Sequence, residues 1–182
     1  MKKQIKIGIT GIAGAGKDFL VDHLTKDLDY TRVSFSDQLK ILAKLIYPWM
    51  EQDYPATVKE TPLNITLPNG EFISKTPREI WLNLNKLREV EDGIFVRMLV
   101  EELSGLKNRD IVVSDIRPQL EWDFCLDRKF TTIYIEPAKI IYEPNDFDKQ
   151  VLTYKDQADY VFVNNFDGLD EWKEFIKEIT NV

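Results

Sequence analysis

Gln4 to Ile9 reads QIKIGI, with apolar positions first alternating and then continuous, the pattern of a strand that becomes buried on both faces. Glycines follow at once, and from Asp18 the apolar residues Phe19, Leu20, Val21, Leu24 and Leu28 recur at helical spacing. Strand, glycine loop and helix are expected in that order. Tyr30 to Phe35 predicts a second short strand. Ser36 or Asp37 is expected to cap a helix carrying Leu39, Ile41, Leu42, Leu45 and Ile46, and Pro48 to help end it.

Periodicity fails between Trp49 and Lys75, where Pro55, Pro62 and Pro68 fall and a Pro68-Asn69-Gly70 turn joins Ile65-Thr66-Leu67 to Glu71-Phe72-Ile73. An excursion with a small hairpin is expected there. Thr76-Pro77-Arg78-Glu79 reads as a helix opening, with Thr76 as N-cap, Pro77 at the first position and Glu79 completing a capping box. A further helix is expected from Asp92 to Leu106, with Phe95, Val96, Leu99, Val100 and Leu103 inward and Gly105 near its end. Asp110 to Ser114 is a buried-strand run stopping at Asp115. Helical spacing returns from Pro118 to Leu126, and FTTIYI, Phe130 to Ile135, is the next strand. Glu136 to Asp159 is polar and irregular. Tyr160 to Val163 is the last strand, and Leu169, Trp172, Phe175, Ile176 and Ile179 form a closing amphipathic helix. Strands alternating with helices predict an α/β fold with a parallel sheet covered by helices on both faces.

Length and charge narrow the picture. At 182 residues the chain is long enough for one hydrophobic core and short for two, so one domain over 1–182 is expected. Asp and Glu number 31 against 24 Lys and Arg, a net charge of -7, which argues against binding a nucleic acid polymer by a general basic surface. Any anionic ligand must meet a few placed cations. No apolar run is long enough to span a bilayer. A single cysteine, Cys125, and a single histidine, His23, leave no internal disulfide and no Cys/His zinc site, and the cytoplasm is the expected setting.

The chemistry concentrates at Gly11-Ile12-Ala13-Gly14-Ala15-Gly16-Lys17, which has G-x-x-x-x-G-K spacing after a strand and before a helix. Glycines at 11, 14 and 16 permit positive φ and close approach, so amides including those of Ala13 and Ala15 can converge on phosphate oxygens at the helix N-terminus. Lys17 is placed to reach the β- and γ-phosphates of ATP. Asp18 stands where Ser or Thr would hold Mg²⁺. It could reach that ion, act as a base, or serve only as an anion favoured at a helix start. Asp115 ends an apolar strand at the edge where parallel sheets place ligand crevices, a natural second carboxylate beside Mg²⁺. Arg117 could give a planar fork of donors to a phosphate; the plainer reading of Asp115-Ile116-Arg117 is a helix cap with a surface arginine. His23 reads as a surface or packing residue, Cys125 as a small buried hydrophobe, and Trp81, Trp122 and Trp172 as apolar anchors, with Trp81 close enough to Arg78 to be considered for base stacking.

The segments ending Gly16-Lys17-Asp18, VSFSDQLK from Val33 to Lys40, TPRE from Thr76 to Glu79, VSDIRPQLEW from Val113 to Trp122 and the closing ADYVFVNNFDGLDEW together resemble the bacteriophage-type deoxynucleoside monophosphate kinases. The resemblance implies a three-layer P-loop kinase fold, a five-stranded parallel sheet in the order 2-3-1-4-5, an excursion over about 49–75 and a lid over about 137–157. It implies ATP and Mg²⁺, with Asp18 and Asp115 beside the ion and the phosphates. Arg78, Arg117 and Glu121 belong to the monophosphate side, with Asp37 at the mouth of the same cleft. Relatives often carry a glutamine and a Gly-Thr pair after TPRE, where this chain reads IWLNLNKLREV, so the acceptor base stays open. The lid segment holds Lys139, Lys149 and Lys155 and no arginine; these lysines are either point charges for phosphate or a solvated loop. Two alternatives remain: a P-loop kinase of another small molecule, such as dephospho-coenzyme A, and a non-catalytic nucleotide-binding regulator. The chain could work alone or as a homodimer.

Overall fold

In the computed structural model, which describes residues 4–55, 57–139 and 146–180, the continuous apolar runs become the middle of one sheet. Strands β1 (Lys6–Thr10), β2 (Thr31–Ser34), β5 (Ile111–Ile116), β6 (Thr131–Pro137) and β7 (Tyr160–Asn164) pair in parallel in the order β2-β5-β1-β6-β7. Counted along the sheet strands alone, this is the expected 2-3-1-4-5. The three central strands are buried almost throughout, whereas the edge strands β2 and β7 expose part of their length. Ile7, Ile9, Val112, Val113, Ile133 and Ile135 are at most 0% exposed. Burial of side chains this size contributes about 1.5–3 kcal/mol each.

Helices flank the sheet. The helices of the described residues are α1 (Lys17–Asp27), α2 (Phe35–Ile46), α3 (Pro77–Asn85), α4 (Ile94–Ser104), α5 (Gln119–Asp127), α6 (Asp146–Leu152) and α7 (Asp170–Thr180), with a short 3-10 turn at Lys86–Glu89 after α3. Trp172 of α7 is fully buried against Phe162 and Phe175, and its indole N–H donates to the Leu20 carbonyl of α1 at 3.1 Å. Burying a tryptophan requires a partner for that N–H, and here the partner ties the last helix to the first. Trp122 is likewise fully buried.

The chain divides into two compact units, Met1–Phe35 with Leu99–Val182, and Ser36–Met98. The first unit holds the parallel sheet. The second has its own core of Ala43, Met50 and Ile80, with Tyr47, Trp49, Tyr54, Leu63, Trp81 and Leu84 packed on it. Its excursion contains the expected hairpin, β3 (Ile65–Thr66) antiparallel to β4 (Phe72–Ile73). At α3, the Thr76 side chain accepts from the Glu79 amide and the Glu79 carboxylate accepts from the Thr76 amide, a complete capping box with Pro77 just inside.

Several boundaries differ from the sequence reading. Helix α2 starts at Phe35 directly after β2, so Ser36 and Asp37 lie in its first turn and neither is the cap. Helix α4 starts at Ile94, two residues after Asp92. Strand β5 does not stop at Asp115 but runs to Ile116, because the pairing with β1 slips by one residue between Gly8–Val113 and Thr10–Ile116. Asp115 is the residue this bulge absorbs, with φ 65 in the left-handed region. Part of the expected lid, 140–145, lies outside the described residues. The rest is anchored: Asp148 and Val151 of α6 and Tyr154 just beyond it have no exposed surface.

Candidate active site at the P-loop

The loop from Gly11 to Gly16 joins β1 to α1 at the carboxyl edge of the sheet. Gly14 and Gly16 have φ 72 and 80, conformations that a side chain would strain. Gly16 is also hemmed in, since a Cβ there would collide with the side-chain amide of Asn164. That amide donates to the Ala15 carbonyl at 2.9 Å, so the end of β7 grips the loop. On the other side the Ala13 amide, expected among those that meet phosphate, donates to Asp148 Oδ1 at 3.1 Å.

Lys17 opens α1 and is 7% exposed, folded over its own loop with Nζ donating to the carbonyls of Gly11 and Ile12 at 2.9 Å each. Its Nζ also lies 3.9 Å from Asp115 Oδ1. Burial pulls the lysine pKa below its ordinary value, Asp115 opposes that most strongly, Arg117 adds to it, and Asp18 and Asp148 also oppose it. The ammonium is held among carboxylates that favour its charge.

Asp115 also pairs with Arg117, whose Nε and Nη2 donate to the same Oδ1 at 3.3 and 3.2 Å. A left-handed non-glycine residue costs about 1–3 kcal/mol, and such strain is kept where surrounding contacts over-determine it. Here the bulge turns the carboxylate toward Lys17 and Arg117. Glu121 of α5 is 2% exposed and accepts from the Arg117 amide at 3.2 Å, so it holds the bend that presents the arginine.

Lys17, Asp115, Arg117 and Glu121 are thus brought together in the first unit. Asp18 sits in the first turn of α1, exposed to solvent. Arg78 and Asp37 belong to the second unit. The Arg78 guanidinium pairs with Glu60, and Asp37 pairs with Lys40 at 3.2 Å, which also meets Asp53 at 3.1 Å and lies over the Trp81 ring at 5.7 Å. The indole N–H of Trp81 is buried without a partner among the described residues.

This combination of sheet order and loop geometry has a known frame. No protein-family model matches the chain, and no curated protein matches it. Solved structures do. TT1252 from Thermus thermophilus is similar with a TM-score of 0.57 and 20% identity, over 99% of this chain and 98% of that one. A dephospho-CoA kinase from Campylobacter jejuni is similar with a TM-score of 0.52 and 14% identity, over 96% of this chain and 94% of that one. The chain has a P-loop kinase fold.

Asp18 in the first turn of α1 and Asp115 on β5 are the carboxylates of this site that could hold Mg²⁺, which at phosphate sites takes one or two carboxylates with phosphates and waters completing the shell. Among the described residues no group of three or more His, Cys, Asp or Glu forms a metal cage of its own. No helix of the described residues is long and apolar enough to cross a membrane.

Three supporting residues escaped the sequence reading: Asn164, Asp148 and Tyr154, whose hydroxyl donates to the Arg117 carbonyl at 2.8 Å. Asn164 was within reach, because it ends a strand at the carboxyl edge where ligand crevices form. A cavity of about 290 Å³ opens elsewhere, lined by Lys6 and Ile111 at the starts of β1 and β5 with Lys107, Arg128 and Phe130, and it contains none of the site residues. Cys125 is fully buried, with its thiol pKa pushed up by burial and Glu121.

Proposed function

We propose that the chain is a (deoxy)nucleoside monophosphate kinase, which passes the γ-phosphoryl group of ATP to the phosphate of a nucleoside monophosphate to give the diphosphate. The observation that carries this reading is the Lys17–Asp115–Arg117 constellation beside the glycine loop, within a P-loop kinase fold. Amides of the loop from Gly14 to Asp18 cradle the donor phosphates at the positive end of α1. Lys17 leaves the Gly11 and Ile12 carbonyls for the phosphates and offsets the negative charge that gathers on the transferred group. Arg117 has five donors, two of which go to Asp115, and it offers the remainder to the acceptor phosphate. Mg²⁺, when bound at Asp18 and Asp115, would neutralise phosphate charge. No covalent enzyme intermediate is required. Arg78 and Asp37 are assigned to the acceptor on the motif resemblance alone.

A coupled ADP-release assay with individual nucleoside and deoxynucleoside monophosphates tests the proposal. At least one should be converted to its diphosphate, and conversion of none would sink it. The likeness to a dephospho-CoA kinase favours one other reading, a kinase of the same architecture acting on dephospho-coenzyme A. Adding that compound to the panel separates the two.

A further inference from the structure

Buried polar groups in folded chains are almost always partnered, and two buried side chains of the segment after β6, Asp148 and Tyr154, bond to backbone groups of the phosphate site. Asp148 of α6 has no exposed surface and accepts from the Ala13 amide of the P-loop at 3.1 Å. Tyr154 is also fully buried, and its hydroxyl donates to the Arg117 carbonyl at 2.8 Å. Its ring stacks on Trp122 at 4.6 Å and 6°, and the Trp122 indole N–H donates to Gln157 Oε1 at 3.2 Å. Burial, with Glu121 and Asp123 adding to it, raises the Tyr154 pKa and keeps the hydroxyl a donor.

We infer that Asp148 and Tyr154 are two arms of one brace, fixing the P-loop at Ala13 and the bend after β5 at Arg117, so that the donor cradle and the Asp115–Arg117 pair keep a set spacing. The inference rests on the donor-site reading above. Both are positioning residues that act through the backbone. The Ala13 amide goes to Asp148, and the loop amides from Gly14 onward go to phosphate. A carboxylate standing in a phosphate's place would behave in the opposite way, because nucleotide would have to expel it.

The test uses the full chain as wild type, Asp148→Ala, Asp148→Asn and Tyr154→Phe, with Mg²⁺-ATP affinity measured by titration and amide hydrogen exchange followed at 11–18 and 115–119. Asp148→Ala should weaken ATP binding about tenfold and speed exchange in the loop, the scale of losing one buried hydrogen bond. Asp148→Asn keeps an oxygen that accepts from Ala13 and should stay within about twofold of wild type. Tyr154→Phe keeps the stack on Trp122 and should speed exchange at 115–119 while leaving 11–18 protected. Tighter ATP binding in either Asp148 variant would overturn the brace, as would exchange that rises evenly through the sheet or does not rise at the two sites. If the wild-type chain bound no ATP, the donor-site reading would fall, and the exchange pattern would still decide the brace.

Discussion

The two units carry their charged residues differently. In the first, Lys17 is buried and Asp115 sits in a strained conformation, each held by groups from distant parts of the chain. In the second, Arg78 is about half exposed, at 47%, and answers to the nearby Glu60, while Asp37 answers to Lys40 three residues on. Burial, strain and long-range contacts mark machinery whose geometry must not vary. An exposed charge such as Arg78 can exchange one partner for another, which suits recognition of an arriving molecule; Asp37, at 24%, is no more exposed than Asp115, at 33%, and differs from it in backbone strain and not in burial. Under the proposed function, Lys17 and Asp115 of the first unit serve the donor and Arg117 the acceptor phosphate, while Arg78 and Asp37 of the second unit are the candidates for acceptor choice.

Variants that should separate the two begin with Lys17→Ala, which should cut phosphoryl transfer about a thousandfold or more while the melting profile stays near wild type. Turnover near normal in that protein would break the contrast at its strongest point. Asp115→Asn preserves shape and removes the charge facing Lys17 and Arg117; transfer should fall about a hundredfold under saturating ATP. Arg78→Ala should raise the acceptor KM about tenfold and leave ATP affinity unchanged, since one charge-assisted pair is lost on one side only. Equal losses for donor and acceptor would erase the distinction. Gly16→Ala should cost about 1–3 kcal/mol, from positive φ and the collision with Asn164, and be read as a lower Tm with weakened ATP binding.

The smallest effect concerns His23, which is buried with Nδ1 unpartnered among the described residues. Burial lowers its pKa, with Asp27 opposing and Lys173 adding to the shift. The unfolded chain then binds the proton more readily than the folded one. Stability from this group is present above the unfolded value of about 6.5 and is lost as pH falls through it toward the lower folded value. His23→Leu should flatten the fall of Tm between about pH 7 and about pH 5; an unchanged slope would mean the histidine does not contribute.

How much of this could be read from the residues follows the range of each interaction. The loop was legible because close backbone approach demands glycine, and the capping box because its partners are three residues apart. The residues alone predicted a parallel sheet covered by helices; its strand order was implied by the family resemblance that the ordered motifs carry. The Asp115 bulge was not legible, since aspartate tolerates left-handed φ and nothing local announces a register slip. The Asp148 contact was hidden for a different reason: its partner Ala13 lies 135 residues away, and α6 sits in a stretch too polar to show a core-facing stripe.

The central claim is most directly tested by following label from γ-labelled ATP into a panel of nucleoside monophosphates, with wild type and Lys17→Ala side by side. A labelled diphosphate is expected from at least one monophosphate with wild type and none above background with the variant. Label that stays in ATP, or appears only as free phosphate, across the whole panel would contradict it.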